Sequence, residues 1–145
     1  MKAVIQRVTQ ASVSVDGTVV GVIDQGILAY IGLGHDDDLT VAKKLIDKIL
    51  TYRIFANEAG RLDKNLQEVQ GGLLLVSQFT LMAKTDKGRR PDFGPAMAPE
   101  AAKALFDSLV LYAQSQYSKV ATGEFGANMQ VSAVNDGPIN FLLEV

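Results

Sequence analysis

The sequence predicts an α/β protein of α+β arrangement: one strand-dominated domain over residues 1–145, with two main helices. Three observations carry that prediction. Alternating runs flank the dipeptide Asp16-Gly17, a tight-hairpin signal because both turn positions need positive φ. Two apolar stretches, Gly26 to Leu33 and Leu73 to Val76, are introduced by glycines, as in strands buried on both faces. Two further segments repeat apolar side chains at helical spacing: Val41, Leu45, Ile49 and Tyr52, then Ala102, Leu105, Phe106, Leu109 and Tyr112. With 145 residues, 48% hydrophobic and 21% charged, the chain has the size and composition of one globular domain. It can bury a core without covalent staples.

The elements follow in chain order. Lys2 to Val8 alternates and is β-branched enough for a strand, and Ser12 to Val15 and Thr18 to Ile23 form the hairpin. After the Gly26 strand, Asp36-Asp37-Asp38 leads into the first helix. One of these aspartates or Thr40 supplies the cap, and negative charge there suits the positive end of the helix dipole. Asn57 to Gly60 is a turn, and Arg61 to Gln70 is polar and irregular. The Leu73 strand runs into Ser77-Gln78-Phe79-Thr80-Leu81, followed by a loop dense in charge and breakers up to Pro95. Pro99 and Glu100 open the second helix. Three strand-like runs close the chain: Val120 to Phe125, Met129 to Val134 and Ile139 to Val145. A turn at Asn135 to Pro138 is expected to join the last two.

Composition excludes several chemistries. There is no cysteine, so disulfides, thiolate nucleophiles and cysteine-ligated metals are absent. A single histidine, His35, rules out any His-His metal site within one chain. The formal charge of −2 rules out non-specific coating of nucleic acid, which needs a basic excess, but leaves room for a local basic patch. Arg7 comes too early for a secretory apolar stretch, and no run approaches the roughly 20 residues that span a bilayer. The expectation is a soluble, cytoplasmic protein with no membrane contact, no metal and no cofactor.

Four places remain where chemistry could sit. His35 and the following aspartates read as a solvated loop and helix cap, because adjacent carboxylates on a turn do not converge on a metal. Lys84, Lys87, Arg89 and Arg90 fall within seven residues around Gly88, which suits either an ordinary charged loop or a phosphate-binding patch. Ser77 to Thr80 puts hydroxyls and an amide at the end of an apolar strand; the strand either continues there or leaves the sheet to form a site. Asn135-Asp136-Gly137-Pro138 is a turn whose Gly-Pro bond is trans on frequency alone, whereas a cis bond would aim two carbonyls in nearly one direction.

Taken together, Ser77-Gln78-Phe79-Thr80-Leu81 and Asn135-Asp136-Gly137-Pro138 resemble the motifs of the D-aminoacyl-tRNA deacylase family. The likeness extends to Lys2 through Val8, to Lys87-Gly88-Arg89-Arg90-Pro91 and to the closing Phe141 to Val145, so it covers essentially the whole chain. It implies barrel-like mixed and antiparallel sheets. It also implies a homodimer, with active sites at the subunit interface, that hydrolyses the ester between a D-amino acid and the terminal adenosine of tRNA. By the same resemblance, Ser77, Gln78, Phe79 and Thr80 form the catalytic wall. Gly137 and Pro138, in cis and from the other subunit, grip the α-amino group and exclude an L side chain. Glycyl-tRNA, having no side chain to exclude, is an expected second substrate. The chain departs from the family's usual Gly-Pro-Val-Thr at Ile139 and Asn140, and carries Arg89 where asparagine is common.

An aminoacyl ester is already activated, and neither Ser77 nor Thr80 has an evident base. Direct attack by water is therefore expected. Backbone N–H groups of Phe79 and Thr80 would hold the oxyanion, and the substrate's own 2′-hydroxyl would move the proton. Lys84, Lys87, Arg89 and Arg90 would meet the tRNA phosphates. The competing reading is a non-catalytic module that binds the tRNA 3′ end. A serine esterase is disfavoured because no Gly-x-Ser-x-Gly elbow is present.

Overall fold

A computed structural model describes residues 1–145. Eight strands and two helices succeed one another as β1 (Lys2–Val15), β2 (Thr18–Ile23), β3 (Gly26–Gly32), α1 (Leu39–Thr51), β4 (Phe55–Ala56), β5 (Leu62–Lys64), β6 (Gly72–Ser77), α2 (Pro99–Gln116), β7 (Val120–Thr122) and β8 (Gln130–Glu144). A 3₁₀ turn at Phe79–Met82 follows β6. The main sheet is mixed and curls towards a barrel. β1 pairs antiparallel with β2, β3 and β8, while β3, β6 and β7 run parallel.

The hairpin forms as its sequence requires: Asp16 and Gly17 both have positive φ, 50° and 80°. β3 and β6 are buried on both faces, and this divides the interior into two cores. Ile27, Ala29, Ile31, Leu73 and Leu75 face the helices, packing with Leu45, Ile46 and Ile49 of α1 and with Phe106 and Leu109 of α2. Leu28, Leu74 and Val76 face the other way, against Val8, Ala11, Val13 and Ile23. The helices are also tied to each other: the Tyr112 hydroxyl donates to the Asp47 carboxylate at 2.7 Å, a bond that raises the Tyr112 pKa above the usual phenol value. Asp38 caps α1 by accepting from the Val41 N–H at 3.0 Å. No helix is long and apolar enough to cross a membrane.

Four expectations change. Arg61 to Gln70 is not irregular throughout: Leu62–Lys64 form β5, paired antiparallel with β4 across the Asn57 to Gly60 turn. Lys2 to Val8 and Ser12 to Val15 are one strand, because β8 pairs along nearly all of it. One extra residue, Thr9, stands in β1 where Val8 and Gln10 oppose the adjacent Asn135 and Val134. That bulge reverses the alternation: Val8 before it and Ala11 and Val13 after it all enter the second core. The expected turn at Asn135 to Pro138 does not separate two strands either. These residues are a bulge inside the continuous β8, held in line by β1 on both sides. Finally, Val120 to Phe125 is a strand only to Thr122; Gly123 onward is a loop with Gly126 at φ 77°.

Candidate active site

β6 ends at Ser77, and the sequence's two readings of the next residues resolve in favour of departure from the sheet. The Gln78 N–H makes the last bond to β3, donating to the Ile31 carbonyl at 2.7 Å. The chain then tightens into the 3₁₀ turn, where the Leu81 and Ala83 N–H groups donate to Gln78 and Thr80. The first N–H groups of such a turn have no carbonyl behind them. Those of Phe79 and Thr80 have no carbonyl within the turn to donate to, and neither meets a side-chain acceptor. The Gln78 side-chain amide donates to Thr80 Oγ1 and so ties the two side chains together.

A cavity of about 500 Å³ opens beside this turn. It lies where the parallel strands β3, β6 and β7 end, the crevice at which open α/β sheets commonly take their ligands. Ser77, Gln78 and Phe79 form one wall. Met97, Ala98 and Pro99, at the start of α2, form another, and Phe125 to Met129 close the third side. The second wall is stitched to the end of β3. The Met97 N–H donates to Leu33 O at 3.0 Å and the His35 N–H to Pro95 O at 3.1 Å. The Asp37 carboxylate accepts from Gly34 N–H at 2.7 Å and from the Met1 ammonium at 2.9 Å, so this aspartate braces the loop behind the wall. His35 pairs with Asp36 at 3.1 Å on the surface. Eleven of the fifteen lining residues are hydrophobic, so an ester entering here exchanges water for fixed apolar walls and a few directed polar groups.

Ser77, Gln78 and Phe79 are thus brought together. Thr80 is exposed at the rim, joined to the lining through Gln78. Lys84, Lys87, Arg89 and Arg90 are exposed on one loop, which Lys84 and Asp92 close by exchanging two backbone hydrogen bonds (2.8 and 3.0 Å). Gly137 and Pro138 are exposed as well, and they do not line the cavity of their own chain.

The bulge that carries them has its own scaffold. Between the pairs Gln6–Asn140 and Val8–Asn135, five steps along β8 stand against two along β1. The surplus residues leave the sheet. The Gly137–Pro138 bond is cis and Gly137 has φ 127°, where an added Cβ would also lie 2.8 Å from Ile139 Cγ1. Arg7, only 13% exposed, reaches from β1 with Nε on the Asp136 carboxylate (3.2 Å) and the Asp136 carbonyl (3.3 Å). Its Nη1 donates to Ile54 O at 3.0 Å. From the other side, Asn135 Nδ2 donates to the carbonyls of Arg7 (2.9 Å) and Ile139 (3.3 Å). Sequence reading assigned neither residue a role. Arg7 had a signal: a cation at an inward-facing position of an alternating strand must find partners. Phe93, Met97 and the Phe125 to Met129 loop carried no local signal, because only the fold brings them to the cavity.

Comparison with known proteins agrees with this architecture. Residues 4–144 match the family model described as D-Tyr-tRNA(Tyr) deacylase. A protein of Psychrobacter arcticus called D-aminoacyl-tRNA deacylase is 69% identical over 150 aligned positions, covering all of this chain and 99% of that protein. One of the same name from Acinetobacter baylyi is 61% identical over 145 residues, with the same coverage. Among solved structures, a c-Myc DNA unwinding element binding protein superposes with TM-score 0.96 at 39% identity, over 100% of this chain and 99% of that one. A probable eukaryotic D-amino acid tRNA deacylase, at 18% identity and TM-score 0.88 over 99% and 98% of the two chains, shares the fold. A mixed barrel-like sheet with a strand-end cavity and these relatives defines an enzyme, a hydrolase of the carboxylic-ester class. The chain belongs to the D-Tyr-tRNA(Tyr) deacylase family.

Proposed function

We propose that the protein removes D-amino acids from tRNA in the cytoplasm, using the wall at Ser77 to Thr80 for chemistry and the Gly137–Pro138 bulge as a chiral filter acting on a partner subunit's cavity. The observation that carries the catalytic part is that the N–H groups of Phe79 and Thr80 open a 3₁₀ turn, with no side-chain cap, beside an apolar cavity. Water attacks the ester carbon, the carbonyl electron pair moves onto oxygen, and these two N–H groups stabilise that oxyanion. As the intermediate collapses, the bond to the ribose oxygen breaks and the neighbouring 2′-hydroxyl relays the proton to it, releasing D-amino acid and tRNA. One such donor contributes on the order of 3–4 kcal/mol to the transition state. A side-chain nucleophile is disfavoured: Thr80 Oγ1 bonds only Gln78, and the single histidine pairs with Asp36 on the surface.

The homodimer is supported by the exposure of Gly137 and Pro138 away from their own cavity, since a rigid exposed bulge needs a site elsewhere to act on. Selection by exclusion leaves glycine, with no side chain to clash, as a second substrate. Lys84, Lys87, Arg89 and Arg90 meet phosphates of the tRNA 3′ end. With so few cations, the dependence of binding on salt is expected to be shallow; a slope equivalent to about eight phosphate contacts would contradict this.

The deciding experiment is hydrolysis of D-tyrosyl-tRNA and L-tyrosyl-tRNA by the purified protein without added metal. Loss of the D ester alone is expected. Loss of both would remove the filter from the proposal, with Asn140, opposite Gln6 at the foot of the bulge, the first place to look. Binding of tRNA with neither ester cleaved would leave only a 3′-end binding module.

A further inference from the structure

Two aromatic side chains at the cavity mouth are not accounted for by the chemistry above. Phe79 is 57% exposed and Phe93 41%, yet their rings stand 5.1 Å apart, tilted by 54°. Both belong to the cavity lining. Two phenyl rings left in water forfeit the stabilisation that burial would give them, so the pair is a surface waiting for something flat and apolar.

Phe93 is held from both directions. Before it, the Lys84–Asp92 backbone bonds close the basic loop. After it, the Gly94 N–H donates to the Asp92 carboxylate at 2.9 Å and the Ala96 N–H to the Phe93 carbonyl at 3.0 Å. The ring is therefore presented by a preorganised turn at the foot of a loop tipped with Lys87, Arg89 and Arg90. None of these cations, nor Lys84, is in an ion pair. Of the loop's two carboxylates, Asp86 and Asp92, the second is already engaged by Gly94. An exposed aromatic platform beside unpaired cations is the combination that takes single-stranded nucleic acid: any base offers a π-face, and the cations follow the backbone.

We infer that Phe93, backed by Phe79, and the Lys84–Asp92 loop form one subsite for the nucleotide immediately 5′ of the esterified nucleoside, with its base on the Phe93 ring and its phosphate at Arg89 and Arg90. The inference rests on the aminoacyl-tRNA reading and deepens it. The enzyme reads the single-stranded 3′ end by stacking, tolerant of base identity, and the helical body of the tRNA contributes little.

The test compares D-tyrosyl esters of adenosine, of the trinucleotide CCA and of whole tRNA. From adenosine to CCA, kcat/KM is expected to rise about tenfold or more, the scale of one stacked base, with little further gain for tRNA. Phe93→Leu keeps the apolar volume but removes the stacking face, and should lower the CCA-to-adenosine ratio about tenfold; Phe93→Trp should restore it. Arg89→Gln with Arg90→Gln should lower the same ratio and flatten its salt dependence. A ratio within each variant cancels losses of folding or chemistry that strike both esters. An unchanged ratio in Phe93→Leu overturns the stacking role. A gain that appears only between CCA and tRNA overturns the assignment to the single-stranded end. Failure to cleave any of the three esters overturns the deacylase reading itself.

Discussion

The cavity wall at Ser77 to Thr80 and the bulge at Asn135 to Pro138 are built by opposite means. The wall is a backbone device. Its geometry comes from one sheet bond to Ile31 and the 3₁₀ turn behind it, and its N–H donors belong to the main chain. The bulge is a side-chain device: Arg7 and Asn135 reach into surplus residues that the ladder leaves unpaired and hold them from two sides. A main-chain donor survives most substitutions at its own position, whereas a side-chain clamp fails when one atom group is removed. The two halves of the proposed mechanism should therefore respond very differently to mutation.

The largest effect is expected at the bulge. Gly137→Ala combines a φ of 127° with a Cβ pressed against Ile139, so the segment must move. A displacement on the order of 1 Å in a positioning element typically lowers rates about 100-fold, and kcat/KM on the D ester should fall by that order. A fully active Gly137→Ala would show that the bulge does not act as a fixed gauge. Arg7→Ala comes next. It leaves the Ile54 and Asp136 carbonyls without their buried donor, and denaturant melts should register a loss of about 2–3 kcal/mol. The D-over-L preference should shrink alongside. Arg7→Lys, which reaches one partner rather than three, should fall between the two. Stability loss with chiral preference untouched would separate the clamp from the filter. The smallest effect is expected for Thr80→Ala, which removes the acceptor of the Gln78 amide but keeps both N–H groups. It should retain measurable turnover, within about tenfold of the parent, in keeping with the loss of one exposed hydrogen bond. Complete loss with folding and substrate binding intact would sink the backbone mechanism and bring back a hydroxyl nucleophile.

How much was legible beforehand follows from the range over which each signal acts. The Asp16-Gly17 hairpin, the doubly buried β3 and β6, a cap for α1 among Asp36 to Asp38 and Thr40, and both helices depend on neighbouring residues or on periodicity over a few turns, and all can be read from the chain. That Asp38 is the residue that caps comes from the structure. The site motifs could be recognised in the sequence, and the structure brings Ser77, Gln78 and Phe79 into one wall. The cavity itself is not local. It needs Leu33, Phe79, Met97 and Phe125 to meet, and nothing in any one of these segments announces the other three.

The sequence by itself thus determined the class of the fold, the apolar strands at its centre, the absence of thiol chemistry and the positions of the two motifs. Tertiary structure decided three things that local chemistry left open. It settled that Ser77 is the last residue of its strand, because β3 offers no partner beyond Ile31. It decided that Thr9 is a bulge, because one strand has to fill the same core on both sides of it. And it made Asn135 to Pro138 an interruption within β8 and not a turn between strands, because β1 pairs on either side and Arg7 occupies the space beneath. Pairing and packing between residues more than a hundred positions apart outweigh the turn preference of four.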